Sequence, residues 1–200
     1  MTAPYGAVFY LGGKIMEASH KKLRCLCEAA IFIAFATVLS LLPVYRLPQG
    51  GSFDLAMLPL LFFCVRWGFG PAMLACTGYG AIQMFVEGGI AIGWQSIIGD
   101  FLIAFAVLGL AGLFSGKKNA LVTGTLVACA ARFCVHWTVG ATVWADYMPP
   151  EFFGMTMTSP WLYSALYNGS FMLADTVLCI AVGLLLKKPL GKYLNGEDIK

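Results

Sequence analysis

Long apolar runs separated by short polar punctuation dominate the chain, and their lengths set the first reading. A transmembrane helix needs about 20 mostly apolar residues. Leu26 to Val44 meets that measure, follows the basic run His20, Lys21, Lys22 and Arg24, and is closed by Pro43 and Pro48. A longer apolar region, Leu55 to Val86, is interrupted by Arg66 and by the breaker run Gly68-Phe69-Gly70-Pro71, and divides there into two shorter spans joined by a tight turn. The fourth span runs from about Trp94 to Phe114 and stops at Gly116-Lys117-Lys118. The fifth covers Ala120 to Trp144 and the sixth Trp161 to Leu186, where Lys187-Lys188-Pro189 ends it. The intervening loop, Asp146 to Pro160, carries Phe152, Phe153, Met155 and Met157 and is too apolar for a simple connection in water. It reads either as a lid or as a loop resting on lipid headgroups.

Composition agrees with the pattern. Hydrophobic residues make up 60% and charged residues 12%, and mean hydropathy is +0.80, far from a soluble domain. The chain is read as an all-α integral membrane protein, a bundle of six transmembrane helices with both termini cytoplasmic. Residues 1–22 form a cytoplasmic extension, 23–188 the membrane domain and 189–200 a cytoplasmic tail. A cleaved signal peptide is not expected, because residues 1–17 lack an apolar core and a small-residue cleavage site. The seven cysteines show no CxxC spacing and no histidine pair, so they read as small buried hydrophobes and no metal site is expected.

Charge orients the bundle. Lys14, Lys21, Lys22, Arg24, Arg66, Lys117, Lys118, Lys187, Lys188, Lys192 and Lys200 fall on one side of the six-span arrangement, and Arg46 alone falls opposite. The formal charge of +3 therefore reports topology, and nucleic acid is not an expected partner. Asp54, Glu87, Asp146 and Glu151 lie on or near the outer side.

Polar groups concentrate in the outer half. Arg132, His136, Gly140 and Trp144 step by four along the fifth span and share one face. Trp161, Asn168 and Asp175 recur by seven on the sixth, flanked by Tyr163 and Tyr167, and the fourth span adds Gln95 and Asp100. Ionisable groups at membrane depth are costly unless paired or facing a cavity. Asp100, Arg132 and Asp175 therefore either pin helices together as ion pairs or contact a ligand. Trp161 reads as an interfacial belt residue, Trp144 as part of the polar face. Such a set suits a flat, cationic, nitrogen-rich heterocycle, because aromatic faces stabilise the cation and an amide satisfies ring donors and acceptors. In the first span Ala30 and Ala34 lie four apart, with Ala36 and Ser40 on a neighbouring track; small residues so spaced admit close approach of another helix, within the bundle or on a partner.

These features together resemble the S component, the substrate-binding subunit, of energy-coupling factor (ECF) vitamin transporters, and within it the thiamine-specific type. The resemblance runs from about Leu23 to Lys188 and is carried by the alanine pair of the first helix, LPLLFFCVRWGFGPAMLA, LGLAGLF, RFCVHWTVGATVWADY and WLYSALYNG. It implies a multi-pass protein of the bacterial cell membrane. Thiamine or a related vitamin would be bound near the outer surface by Asp100, Arg132, His136, Gly140, Trp144, Tyr163 and Asn168. Asp100 stands where the family has a glutamate, Arg132 where it has a lysine, Phe101 where it has a tyrosine, and Gly50 near a position that is tryptophan in some members. The resemblance further implies docking through Ala30 and Ala34 onto a T component carrying two ATPase subunits. ATP would be used there, since this chain has no Walker motif and needs no cofactor of its own. The alternatives are an S component for a thiamine precursor, an analogue or another vitamin, and, further off, a small secondary transporter or a membrane enzyme. An enzyme is not expected: His136 is the only histidine within the spans, and neither HExxH nor DDxxD occurs.

Overall fold

The computed structural model describes residues 4–47, 50–88 and 93–199, with side chains from Met16 onward. Pro48, Lys200 and the side chain of Lys14 therefore lie outside the described residues. Helix α1 covers Pro4–Ser40. The segment read as a separate extension is thus continuous with the first helix. The apolar part of α1, Met16–Ser40, buries Ala36 and Ser40 against the bundle and leaves Ala30 and Ala34 exposed.

After Pro43 the chain forms a hairpin, β1 (Tyr45–Arg46) pairing antiparallel with β2 (Ser52–Phe53), Tyr45 opposite Phe53 and Arg46 opposite Ser52. Helix α2, Met57–Trp67, follows, with every residue from Met57 to Arg66 buried. Apolar on all sides, it occupies the centre of the bundle. At 11 residues it rises only about 16 Å. Gly68 alone separates it from α3, Phe69–Val86, and holds φ of 81°, a conformation glycine adopts without steric cost. A Cβ at Gly112 would come 2.7 Å from the backbone of this corner, so two glycines allow the chain to cross there.

Helix α4, Trp94–Phe114, departs from the plain helix its hydropathy suggests. It widens into π-helix over Ile97–Ile103 and tightens to 3-10 geometry over Val107–Phe114. Helix α5 spans Ala120–Thr142, and a second hairpin, β3 (Glu151–Phe152) with β4 (Met155–Thr156), precedes α6. Ser159 caps α6 by accepting the N–H of Trp161. Contrary to the sequence reading, Lys187-Lys188-Pro189 does not end this helix, which runs from Pro160 to Leu194 with Pro189 inside it. The last turn is retained because Leu190 and Leu194 pack on the core and Tyr193 is held in a polar network at that end.

Among the described residues four helical stretches are long and apolar enough to cross a membrane: Met16–Ser40, Trp94–Phe114, Ala120–Thr142 and Pro160–Leu194. The bundle carries a cavity at one end and, at the other, a charged cluster around Arg66.

Candidate binding site

A cavity of about 440 Å³ opens where the ends of α1, α3 and α5 meet the starts of α2, α4 and α6, a size typical of small-molecule pockets. Asp100, Arg132, His136, Gly140, Trp144, Tyr163 and Asn168 all line it. Gln95 does not; it is exposed. Trp161, at the start of α6, lies outside the lining and is 46% exposed. The walls also include Asp54, Tyr79, Glu87, Phe105 and Asp175. The sequence places Asp54 and Glu87 at this end without a part in the site, and Asp175 either in an ion pair or on a ligand. No spacing in the chain joins Asp54 to α6.

One hydrogen-bonded line crosses the cavity wall. The Nε of Arg132 donates to Nε2 of His136 at 3.3 Å, and Nδ1 of His136 lies 3.0 Å from Oδ1 of Asp100. A guanidinium nitrogen is always a donor, so Nε2 must carry the lone pair and Nδ1 the proton. His136 is therefore a neutral imidazole of fixed tautomer, donating to the carboxylate. The other oxygen of Asp100 accepts from Ser96 Oγ at 2.7 Å and from Trp144 Nε1 at 2.9 Å. The short carboxylate is thus anchored by three side chains and holds the Trp144 indole by its edge. Among the described residues Arg132 forms no ion pair with Asp100 or Asp175; it reaches Asp100 through His136 and lies 4.2 Å over the Phe105 ring. The cavity is consequently polarised, cationic beside Phe105 and anionic beside Trp144.

The α6 wall supplies directional groups. Asn168 Nδ2 donates to the main-chain oxygen and the hydroxyl of Ser164 at 3.0 and 3.1 Å, which fixes the amide with its oxygen as the remaining acceptor. Tyr163 is buried and its hydroxyl has no hydrogen-bond partner among the described residues. Gly140 faces this pair: a Cβ there would overlap Ser164 Oγ and lie 3.2 Å from Asn168 Nδ2.

Two loops pack at this end of the bundle. Tyr167 OH accepts the N–H of Gly51 at 3.0 Å, and Asp175 Oδ1 accepts that of Asp54 at 3.1 Å. Asp54 in turn accepts from Ser52 Oγ and from the N–H of Ala56 at the entry to α2. The β3–β4 hairpin lays Phe152 on Tyr163 and Tyr167, ring centroids 5.3 and 6.0 Å apart, and buries Met157 while Phe153 and Met155 stay exposed.

The chain matches the family described as Thiamine transporter protein (Thia_YuaJ) over residues 26–195. It is 25% identical over 192 residues to the thiamine transporter ThiT of Bacillus subtilis (strain 168), covering 88% of this chain and 97% of that protein. With the ThiT of Lacticaseibacillus paracasei it shares 28% identity over 187 residues, 84% of this chain and 89% of the other. A solved structure of ThiT from Listeria monocytogenes superposes with a TM-score of 0.74 at 26% identity, over 87% of this chain and 98% of that one. With the family matched along most of its length and the same fold in a solved relative, the chain belongs to the thiamine transporter protein family.

Proposed function

We propose that this protein is the thiamine-binding S component of an ECF-type vitamin uptake transporter, working in the bacterial cell membrane and performing no chemistry on its ligand. The observation that carries the reading is the meeting of Trp144, His136, Asp100, Asn168 and Tyr163 on one cavity, within a chain of this family. Thiamine joins a cationic thiazolium to an aminopyrimidine. The aromatic walls favour the cation, the Asp100 carboxylate offsets its charge, and the Asn168 oxygen and Tyr163 hydroxyl offer partners to the aminopyrimidine.

In this reading six helices cross or enter the membrane, with both termini cytoplasmic and the cavity outward. The lysines at 117, 118, 187, 188 and 192 on the opposite end support that orientation. Coupling to a T component and two ATPases would use the face of α1 bearing Ala30 and Ala34, both exposed.

Titrating the purified protein with thiamine while following tryptophan fluorescence tests the function directly. Saturable quenching at or below micromolar ligand is expected, and a folded protein without it sinks the reading. The anchored, short Asp100 side chain favours a second reading, in which a thiamine precursor or analogue is the better ligand; competition against thiamine in the same titration decides between them.

A further inference from the structure

At the end of the bundle away from the cavity, Arg66 is enclosed completely, its side chain 0% exposed. Its Nε and Nη2 donate to Glu28 of α1 at 2.7 and 2.9 Å. Nη1 and Nη2 donate to the two carboxylate oxygens of Asp198 at 2.7 and 2.9 Å, and Nη1 also reaches the main-chain oxygen of Tyr193. The guanidinium lies 3.6 Å from the centroid of the Tyr193 ring. Glu28 also accepts from Arg24, Trp67 and the Tyr193 hydroxyl at 2.9, 2.7 and 3.0 Å, and Arg24 pairs with Asp198. Two cations and two carboxylates therefore balance, and every donor of Arg66 oriented by the network has an acceptor. Separating the tail from Arg66 would leave this enclosed cation with only half of its carboxylate partners.

What the joint holds is α1. Every side chain from Met16 to Arg24 is exposed, so Arg24 and Glu28 are the points that tie this end of the helix down. Ala30 and Ala34 follow within two turns. The tail reaches the joint by turning at Gly196, whose φ is 64°. We propose that Arg66 and the tail 195–199 are positioning elements for coupling: a standing brace that fixes the angle of α1, and with it the alanine face offered to the T component. The inference rests on the coupling reading above.

The test compares the full chain with a chain ending at Asn195, with Asp198→Asn and with Asp198→Glu, each assembled with T component and ATPases in membrane vesicles. Thiamine affinity should stay within about twofold, because the cavity lies at the other end, while ATP-driven uptake by the shortened chain should fall about tenfold, equivalent to about 1.4 kcal/mol of lost pose preference. Amide exchange at residues 24–30 should quicken in the shortened chain. Asp198→Asn should fall between it and the full chain, and Asp198→Glu should restore uptake. Unchanged uptake in the shortened chain overturns the proposal, as does a loss of thiamine binding parallel to the loss of uptake. If Ala30→Trp with Ala34→Trp leaves uptake intact, the coupling reading itself fails; exchange at 24–30 then still decides whether the tail holds α1.

Discussion

Asp175 accepts the main-chain N–H of Asp54 at 3.1 Å across 121 positions of sequence, so a carboxylate on α6 registers a loop that lines the cavity. Leaving a buried N–H unpaired costs about 1–3 kcal/mol. Asp175→Ala should therefore speed thiamine dissociation about tenfold, whereas Asp175→Asn, which keeps an acceptor oxygen, should stay within about threefold. Stopped-flow tryptophan fluorescence measures both; equal rates in the two variants would show that the loop does not depend on this bond.

The same loop has no room at Gly51, where a Cβ would fall 2.8 Å from ring carbons of Phe171. Gly51→Ala should weaken binding roughly tenfold through 1–3 kcal/mol of overpacking, and Phe171→Leu in the same chain should recover most of it. Calorimetric titration of the single and double variants provides the comparison.

Tyr163 presents a buried hydroxyl without a hydrogen-bond partner among the described residues. Because an unpaired buried polar group carries a penalty of about 1–3 kcal/mol, Tyr163→Phe should raise the melting temperature of the ligand-free protein by a few degrees while weakening thiamine binding. Melting curves with and without ligand separate the two effects. A lower melting temperature without ligand would show the hydroxyl to be satisfied.

Trp144 both faces the cavity and donates to Asp100. Trp144→Ala and Asn168→Ala should each weaken binding more than about tenfold, as expected for central aromatic and amide contacts. Trp144→Phe, which keeps a ring and loses the donor, should cost less. Affinities unchanged in both alanine variants would place the ligand elsewhere.

Hydrogen bonds from Arg66 hold the Asp198 carboxyl well below the usual carboxylate range. A group whose folded-state pKa is depressed contributes stability above its unfolded value and loses it as pH falls through the folded one. Protection of the tail amides should accordingly be flat from about pH 5 to 8 and collapse only in stronger acid than an ordinary aspartate requires. Asp198→Asn should abolish that dependence in an exchange measurement.

Hydropathy and turn chemistry made much of this molecule legible. The apolar runs, the corner at Gly68 and the shared face of Arg132, His136, Gly140 and Trp144 all follow from local periodicity. The joints between distant segments were not legible. Arg66 reads as one of the orienting cations, and nothing in the chain joins it to Glu28 or Asp198, because hydropathy scores the cost of a charge and not its company. Pro189 reads as a stop signal, yet the packing of Leu190 and Leu194 outweighs one lost backbone bond. From the sequence Arg132 stands either in an ion pair with Asp100 or Asp175 or on a ligand; an intervening imidazole, visible only in three dimensions, carries its link to Asp100.

Helix α6 carries Tyr163 on the cavity wall and Tyr193 beneath the Arg66 guanidinium. Thirty residues of helix amount to about 45 Å, so one rod carries a wall of the cavity at one end and the Arg66 joint at the other. The two ends share no residue, so the joint to α1 and α2 can be loosened without touching the cavity wall.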